Sequence, residues 1–206
     1  MKIHRFARCA ALAAVLALPA AGASPALAAG KSNATDRAFV RQMVPHHQMA
    51  TEMAQMAKTD GEHAKIRRLA HEIIKAQSDE IRTLKRIARD LGVTPAEMPM
   101  DGEMSEQTMR DLETLRVSEE ESGMAMDMHD LHGAKPFDRM FIDMMIPHHQ
   151  GAIRMARAEL DKGKNRRLRR IARAIVRDQA EEIRTMNKWR TAWYGEPSPA
   201  GGVPTP

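Results

Sequence analysis

A chain of 206 residues suits one domain with a real core. Its single cysteine, Cys9, lies in an N-terminal apolar run, which excludes a disulfide framework and thiolate metal sites from the rest of the chain. The formal net charge of +5 is weak evidence for a nucleic-acid partner: aromatic residues make up only 3%, and without Lys2, Arg5 and Arg8 there remain 29 basic against 27 acidic residues, a net charge of +2.

Residues 1–29 read as a secretory signal peptide. Lys2, Arg5 and Arg8 give a basic start, Cys9 to Ala21 an apolar run, and Ala26-Leu27-Ala28 a small-residue cleavage site. The run is shorter than the roughly 20 apolar residues of a membrane span. The expected location is periplasmic or secreted, with cleavage near Ala28 and no membrane span in the mature chain.

Residues 30–194 are expected to form one helical domain. In its first segment Phe39, Met43, His46, Ala50, Met53 and Ala57 follow the spacing of a buried helix seam. Thr35 or Asp36 is the expected cap, Gly61 the stop, and Pro45 a kink just before two histidines. The second segment runs from about Glu62 to Leu91, with the seam Ile66, Ala70, Ile73, Gln77, Glu80, Leu84, Ile87 and Leu91, and stops at Gly92. Two polar residues, Gln77 and Glu80, interrupt that apolar stripe.

The connection over 93–137 is Met- and acid-rich. Between Glu97 and Asp130 stand eleven acids against two bases, Arg110 and Arg116, which reads as a solvated acidic face. Ser105 is placed to cap a short amphipathic helix through Met109, Leu112 and Leu115. Met98, Met100, Met104, Met124, Met126, Met128, His129 and His132 lie where no deep core is expected, so a soft-metal capture segment is read here against a merely flexible one.

The third and fourth segments repeat the first two. Residues 36–87 align without a gap on residues 138–189, with about two positions in five identical. Phe141, Met145, His148, Ala152 and Met155 form one seam; Leu168, Ala172, Ile175, Gln179, Glu182, Met186 and Trp189 form the other. Met-x-Pro-His-His-Gln occurs at Met43–Gln48 and again at Met145–Gln150. Repeat one spans 36–91 and repeat two 138–194. Each is a helical hairpin that cannot bury its stripe alone, so the expected fold is all-α: a ferritin-like four-helix bundle built from two repeated helical hairpins about a pseudo-twofold axis. The Pro- and Gly-rich residues 195–206 are expected to be a disordered tail.

Equivalent polar breaks in both repeats need a chemical reason. A buried carboxylate is costly unless it is paired or bound to a metal. Two readings stand at Glu80 and Glu182: ligands for a metal, or acceptors in a buried network with His or Arg. Met43 lies one turn before His46 and His47, and Met145 one turn before His148 and His149, so sulfur and imidazole share a face. Met53, Met155 and Met186 are assigned to packing. Thioether sulfur suits Cu(I) and imidazole suits copper generally, and a thioether, unlike a thiol, is not drawn into disulfides in an oxidising compartment. The candidate metal ligands are Met43, His46, His47, Met145, His148, His149, Glu80, Glu182, Met124, Met126, Met128, His129 and His132. Copper, with Cu(I) preferred and Cu(II) and Ag(I) as further candidates, is the expected cargo.

The segments Met43–Ala54 and Met145–Ala156 resemble the signature of the domain-of-unknown-function 305 family. The resemblance covers roughly residues 36–194. It implies a ferritin-like fold, an exported protein and, from some members, copper binding and tolerance, with candidate roles for Met43, His46, His47, Met145, His148 and His149. A di-iron oxidase would need Glu-x-x-His motifs, and none occurs in this chain; His-Glu-x-x-His is also absent. The expectation is therefore a non-catalytic copper-binding protein. Its partners are a metal ion and an envelope copper-handling protein, without nucleic acid. The competing expectation is an envelope structural or interaction protein whose His, Gln and Glu form only a core network.

Overall fold

The computed structural model describes residues 32–97 and 104–205. The expected signal peptide, and Met98 and Met100 of the connection, lie outside these residues. The elements in order are α1 (Ala34–Asp60), α2 (Ala64–Asp90), α3 (Glu106–Leu115), α4 (Phe137–Lys162) and α5 (Arg166–Tyr194), with single 3-10 turns at Glu120–Ser122 and Met128–Asp130. Among the described residues there is no strand. The all-α architecture is the expected one: α1 with α2 and α4 with α5 form hairpins, and α1 packs on α4.

Helix α1 is capped two residues before Thr35, the earlier of the two expected caps. Asn33 is the cap, and Asp36 completes a reciprocal box: the Asp36 amide donates to Asn33 Oδ1 at 3.0 Å and the Asn33 amide to Asp36 Oδ2 at 2.6 Å. Gly61 ends the helix as expected. Inside α1, Pro45 has no N–H, so the carbonyl of Arg41 lacks its usual partner one turn later. The connection supplies one: the Ala96 amide donates to Arg41 O at 3.0 Å.

The two hairpins hold each other's turns. Buried Asp36 on α1 accepts from the amides of Lys164 and Asn165 between α4 and α5, at 2.8 to 3.1 Å. Its repeat partner Asp138 on α4 accepts from the amides of Glu62 and His63, both at 2.8 Å, between α1 and α2. A carboxylate receiving several backbone donors keeps its charge compensated in the interior. These reciprocal clamps fix the register of α1 against α4.

The apolar core falls into two clusters. One joins Met49, Met53 and Ile73 to Phe141, Met145 and Ile146. The other joins Phe39, Met43 and Leu84 to Met155, Leu168 and Ile175, together with Leu112 and Leu115 from α3. Each cluster therefore pairs one end of α1 with the opposite end of α4. The histidines lie on both helices between the clusters, with buried Gln77 and Gln179 from α2 and α5.

Three expectations change. Ser105 does cap α3, but Met109 is 46% exposed, because Asp111, Leu112 and Leu115 form the face turned to the bundle. The connection has a core to fill: Met124, Met126 and Met128 are half-buried against the first cluster, since the chain crosses the bundle between hairpins. The tail is held rather than loose. Gln150 Nε2 donates to the carbonyls of Ala200 and Gly202 at 2.8 and 2.7 Å, and Arg157 donates to Thr205 O at 2.8 Å. Asn187 Oδ1 receives the Ser198 amide at 2.8 Å. Side chains of α4 and α5 thus satisfy a Pro- and Gly-rich backbone that composition alone leaves unpartnered.

Candidate metal centre

Pro45 and Pro147 sit inside α1 and α4, each immediately before a His-His pair. Adjacent residues of a helix diverge by about 100°, so each pair sends one imidazole towards the other hairpin and one towards its own. The structure shows this division. His46 and His148 meet across the α1–α4 interface with ring centroids 3.8 Å apart. His47 turns to α2, where its Nε2 lies 2.7 Å from Glu80 Oε2, and His149 turns to α5, with Nε2 2.6 Å from Glu182 Oε2. All four imidazoles are fully buried.

The carboxylates are less enclosed than the seam pattern implied. Glu80 and Glu182 keep 24% and 21% of their side-chain surface, so solvent helps to carry their charge. Each accepts from Nε2 and leaves Nδ1 of its histidine without a partner. A carboxylate on the far nitrogen of an imidazole is the arrangement that orients metal-binding histidines and raises their basicity. It is equally the buried network of the competing reading.

The imidazole pair at the centre is different. His46 Nε2 lies 3.0 Å from the carbonyl of Ser122, so that nitrogen carries the proton and donates. His46 Nδ1 and both nitrogens of His148 have no partner. Loss of solvation, reinforced by the neighbouring His47, lowers the pKa of His46 from 6.5 to about 3. Burial, then the proximity of His46, His149 and His47, holds His148 well below its ordinary value. Both rings are neutral at pH 7, the form that binds metal.

Met43 and Met145 are also fully buried, one turn before these rings. Among the described residues no three His, Asp or Glu side chains converge on one point; the imidazoles meet as a pair. Of the connection's candidates, Met124, Met126 and Met128 lie against the bundle, whereas His129 and His132 are exposed at and beside the second 3-10 turn. The connection is therefore not one cluster of donors.

Two site residues escaped the sequence reading, Ser122 and Gly151. The first 3-10 turn presses its Ser122 carbonyl onto α4, and a Cβ at Gly151 would lie 1.8 Å from that oxygen. Gly123, with φ +68°, leaves the turn with its own hydrogen directed at α4; a Cβ there would meet Pro147 O at 2.5 Å and the His148 Cα at 2.7 Å. A glycine inside a helical pattern, where the first repeat has Met49, was the available signal for this close approach.

Paired hairpins with buried His-His motifs at equivalent places in both repeats place the chain among all-helical bundles. Residues 36–190 match the family described as Domain of unknown function (DUF305), as do residues 22–88, and the chain belongs to that family. It is similar to the solved structure of CopM in the Cu(I)-bound form, at 32% identity and a TM-score of 0.63, over 78% of this chain and 98% of that chain. CopM in a Ag-bound form is 31% identical, with a TM-score of 0.59 and the same coverage. A DUF305 protein from Streptomyces coelicolor is 25% identical, with a TM-score of 0.66, over 80% of this chain and 96% of that one. No curated protein matches the chain. No helix among the described residues is long and apolar enough to cross a membrane.

Proposed function

We propose that this protein is an exported, non-catalytic copper carrier that takes Cu(I) as cargo at the His46–His148 pair and serves buffering or tolerance. The observation that carries this reading is the contact of two buried, neutral imidazoles at 3.8 Å with three ring nitrogens unpartnered. An unsatisfied buried polar group costs about 1–3 kcal/mol, and several in one place in both repeats are hard to account for by packing. A soft monovalent ion relieves that cost and introduces little charge into an apolar layer, whereas hard cations need oxygen ligands.

Met43 and Met145 are sulfur donors one turn before these rings on the same helix faces. His47 and His149 take part through Nδ1, with Glu80 and Glu182 as orienting partners rather than ligands. Met124, Met126, Met128, His129 and His132 serve as outer capture residues. Cu(II) and Ag(I) are alternative cargoes. The bound metals of CopM support the assignment by similarity. Export is supported by the N-terminal sequence pattern and by the secreted character inferred for the Streptomyces coelicolor relative. The intended partner is another envelope copper-handling protein.

The test is a thermal melt of wild type and His46→Gln/His148→Gln, with and without Cu(I) under reducing, anaerobic conditions. Wild type should gain stability with added Cu(I), by about 2.7 kcal/mol at a hundredfold excess over Kd. The variant should fold and show no gain. Equal gains in both proteins would reject the imidazole pair as the site.

A further inference from the structure

A cavity of about 670 Å³ lies between α1, α3 and the connection, beside the imidazole pair. Three methionines line it from separate parts of the chain: Met104 before α3, Met124 after the first 3-10 turn, and Met155 from α4. Ser122 also lines it, and the Ser122 carbonyl is the group bonded to His46 Nε2. One wall of the cavity is thus the backbone that touches the central imidazole. Another is fixed by Pro45, whose missing N–H frees Arg41 O for the Ala96 amide.

Several polar side chains around this space are already committed, while Thr94 and Glu97 also line it. Arg41 Nη1 is 2.6 Å from Asp111 Oδ1, Gln42 Nε2 is 2.7 Å from Asp111 Oδ2, and Gln107 Nε2 is 3.0 Å from Asp111 Oδ1. The guanidinium is neutralised by the buried carboxylate, so it neither attracts an anion nor strongly repels a monovalent cation. Thr108 is occupied by the Ser105 hydroxyl at 3.0 Å. The thioethers are thus the soft donors left facing the cavity. Methionine has three rotatable bonds and a polarisable sulfur, so side chains on different walls can close on one ion.

We propose that Met104, Met124 and Met155 form a second, all-thioether site for Cu(I) or Ag(I), adjoining the imidazole pair. This rests on the reading of the protein as a soft-metal carrier and gives it a second binding step. Thioethers carry no titratable proton, so this site holds metal at pH values where imidazoles would be protonated. Met155, which seam spacing assigns to packing, then has both roles: it belongs to the second core cluster and lines the cavity.

The probe is Ag(I), which is diamagnetic and stable in air, titrated into protein carrying 13C-methyl methionine. The measurement is made on wild type, on Met104→Leu/Met124→Leu/Met155→Leu, and on His46→Gln/His148→Gln. Leu keeps apolar volume and removes sulfur, and far-UV circular dichroism checks folding of each variant. The expected result is that the methyl signals of Met104, Met124 and Met155 shift together in wild type and in the histidine variant, and that the methionine variant binds one fewer ion. Binding of Ag(I) with these three signals unmoved would overturn the thioether site while leaving the imidazole reading intact. Shifts of these three signals in wild type that vanish in the histidine variant would mean that the thioethers bind only as part of the imidazole site, and would overturn a separate second site. No Ag(I) binding by wild type would overturn both.

Discussion

Replacing Glu159 with Gln should stabilise the protein above neutral pH. Glu159 lies on α4 with no exposed surface, and neither carboxyl oxygen has a hydrogen-bond partner. Burial foremost, then the carboxylate of Asp36, raises its pKa from 4.5 to about 9, with Arg169 acting weakly the other way. The first repeat has Ala57 here, and the Asp138 carboxylate on that side bonds His63 Nδ1 at 2.7 Å instead. A carboxyl whose folded pKa is raised binds more protons folded than unfolded between these values. Its stability contribution is full below 4.5 and is lost as the pH climbs through 9. At about 1.4 kcal/mol per pH unit, keeping Glu159 protonated at pH 7 costs on the order of 3 kcal/mol. Gln has the same shape and no proton to lose. Urea unfolding followed by circular dichroism should show Glu159→Gln gaining about 3–5 kcal/mol over wild type at pH 8 and little at pH 4.5. A variant equal to or weaker than wild type at pH 8 would refute the reasoning.

The other expectations concern the centre. Protonation of His46 and His148 favours the unfolded chain, because both folded pKa values are depressed; wild type should lose stability as the pH falls below 6.5, with His46 contributing roughly 1.4 kcal/mol per pH unit down to about 3. The His46→Gln/His148→Gln variant should show a flatter acid limb in urea unfolding, and coincident profiles would contradict that assignment. Glu80→Ala leaves His47 Nε2 buried without a partner and should lower stability by about 1–3 kcal/mol, read from the denaturation midpoint. Gly151→Ala places a methyl group 1.8 Å from Ser122 O, so the turn must move; a loss of about 1–3 kcal/mol and faster proteolysis within residues 116–126 are expected. Unchanged cleavage would mean that the turn does not depend on this contact.

The bundle could be read from the chain because its signals are local and repeat. The 4-3-4-3 seams of Phe39–Ala57 and Phe141–Met155 are buried as spaced, and Gly61 and Ser105 mark helix ends where expected. The His-His pairs could be found because they recur. Their division of labour could be read only in part: adjacency on a helix shows that the two rings diverge, but not that His46 meets His148 while His47 takes Glu80. The connection and tail were misread for a common reason. Ser122 to His46, Ala96 to Arg41 and Gly202 to Gln150 join segments far apart in sequence through backbone groups, and such contacts leave no period or composition behind. Asn33 was missed as the cap because Thr35 and Asp36 are equally good cap residues, and only the reciprocal bond with Asp36 decides among them.

The most direct measurement is anomalous diffraction from crystals grown with Ag(I) or, anaerobically, Cu(I). The account predicts a metal peak between α1 and α4 within coordination distance of His46 Nδ1 and a ring nitrogen of His148, with Glu80 and Glu182 still on the far nitrogens of His47 and His149. Metal bound elsewhere, with the His46–His148 pair in contact as before and no peak between them, would contradict it.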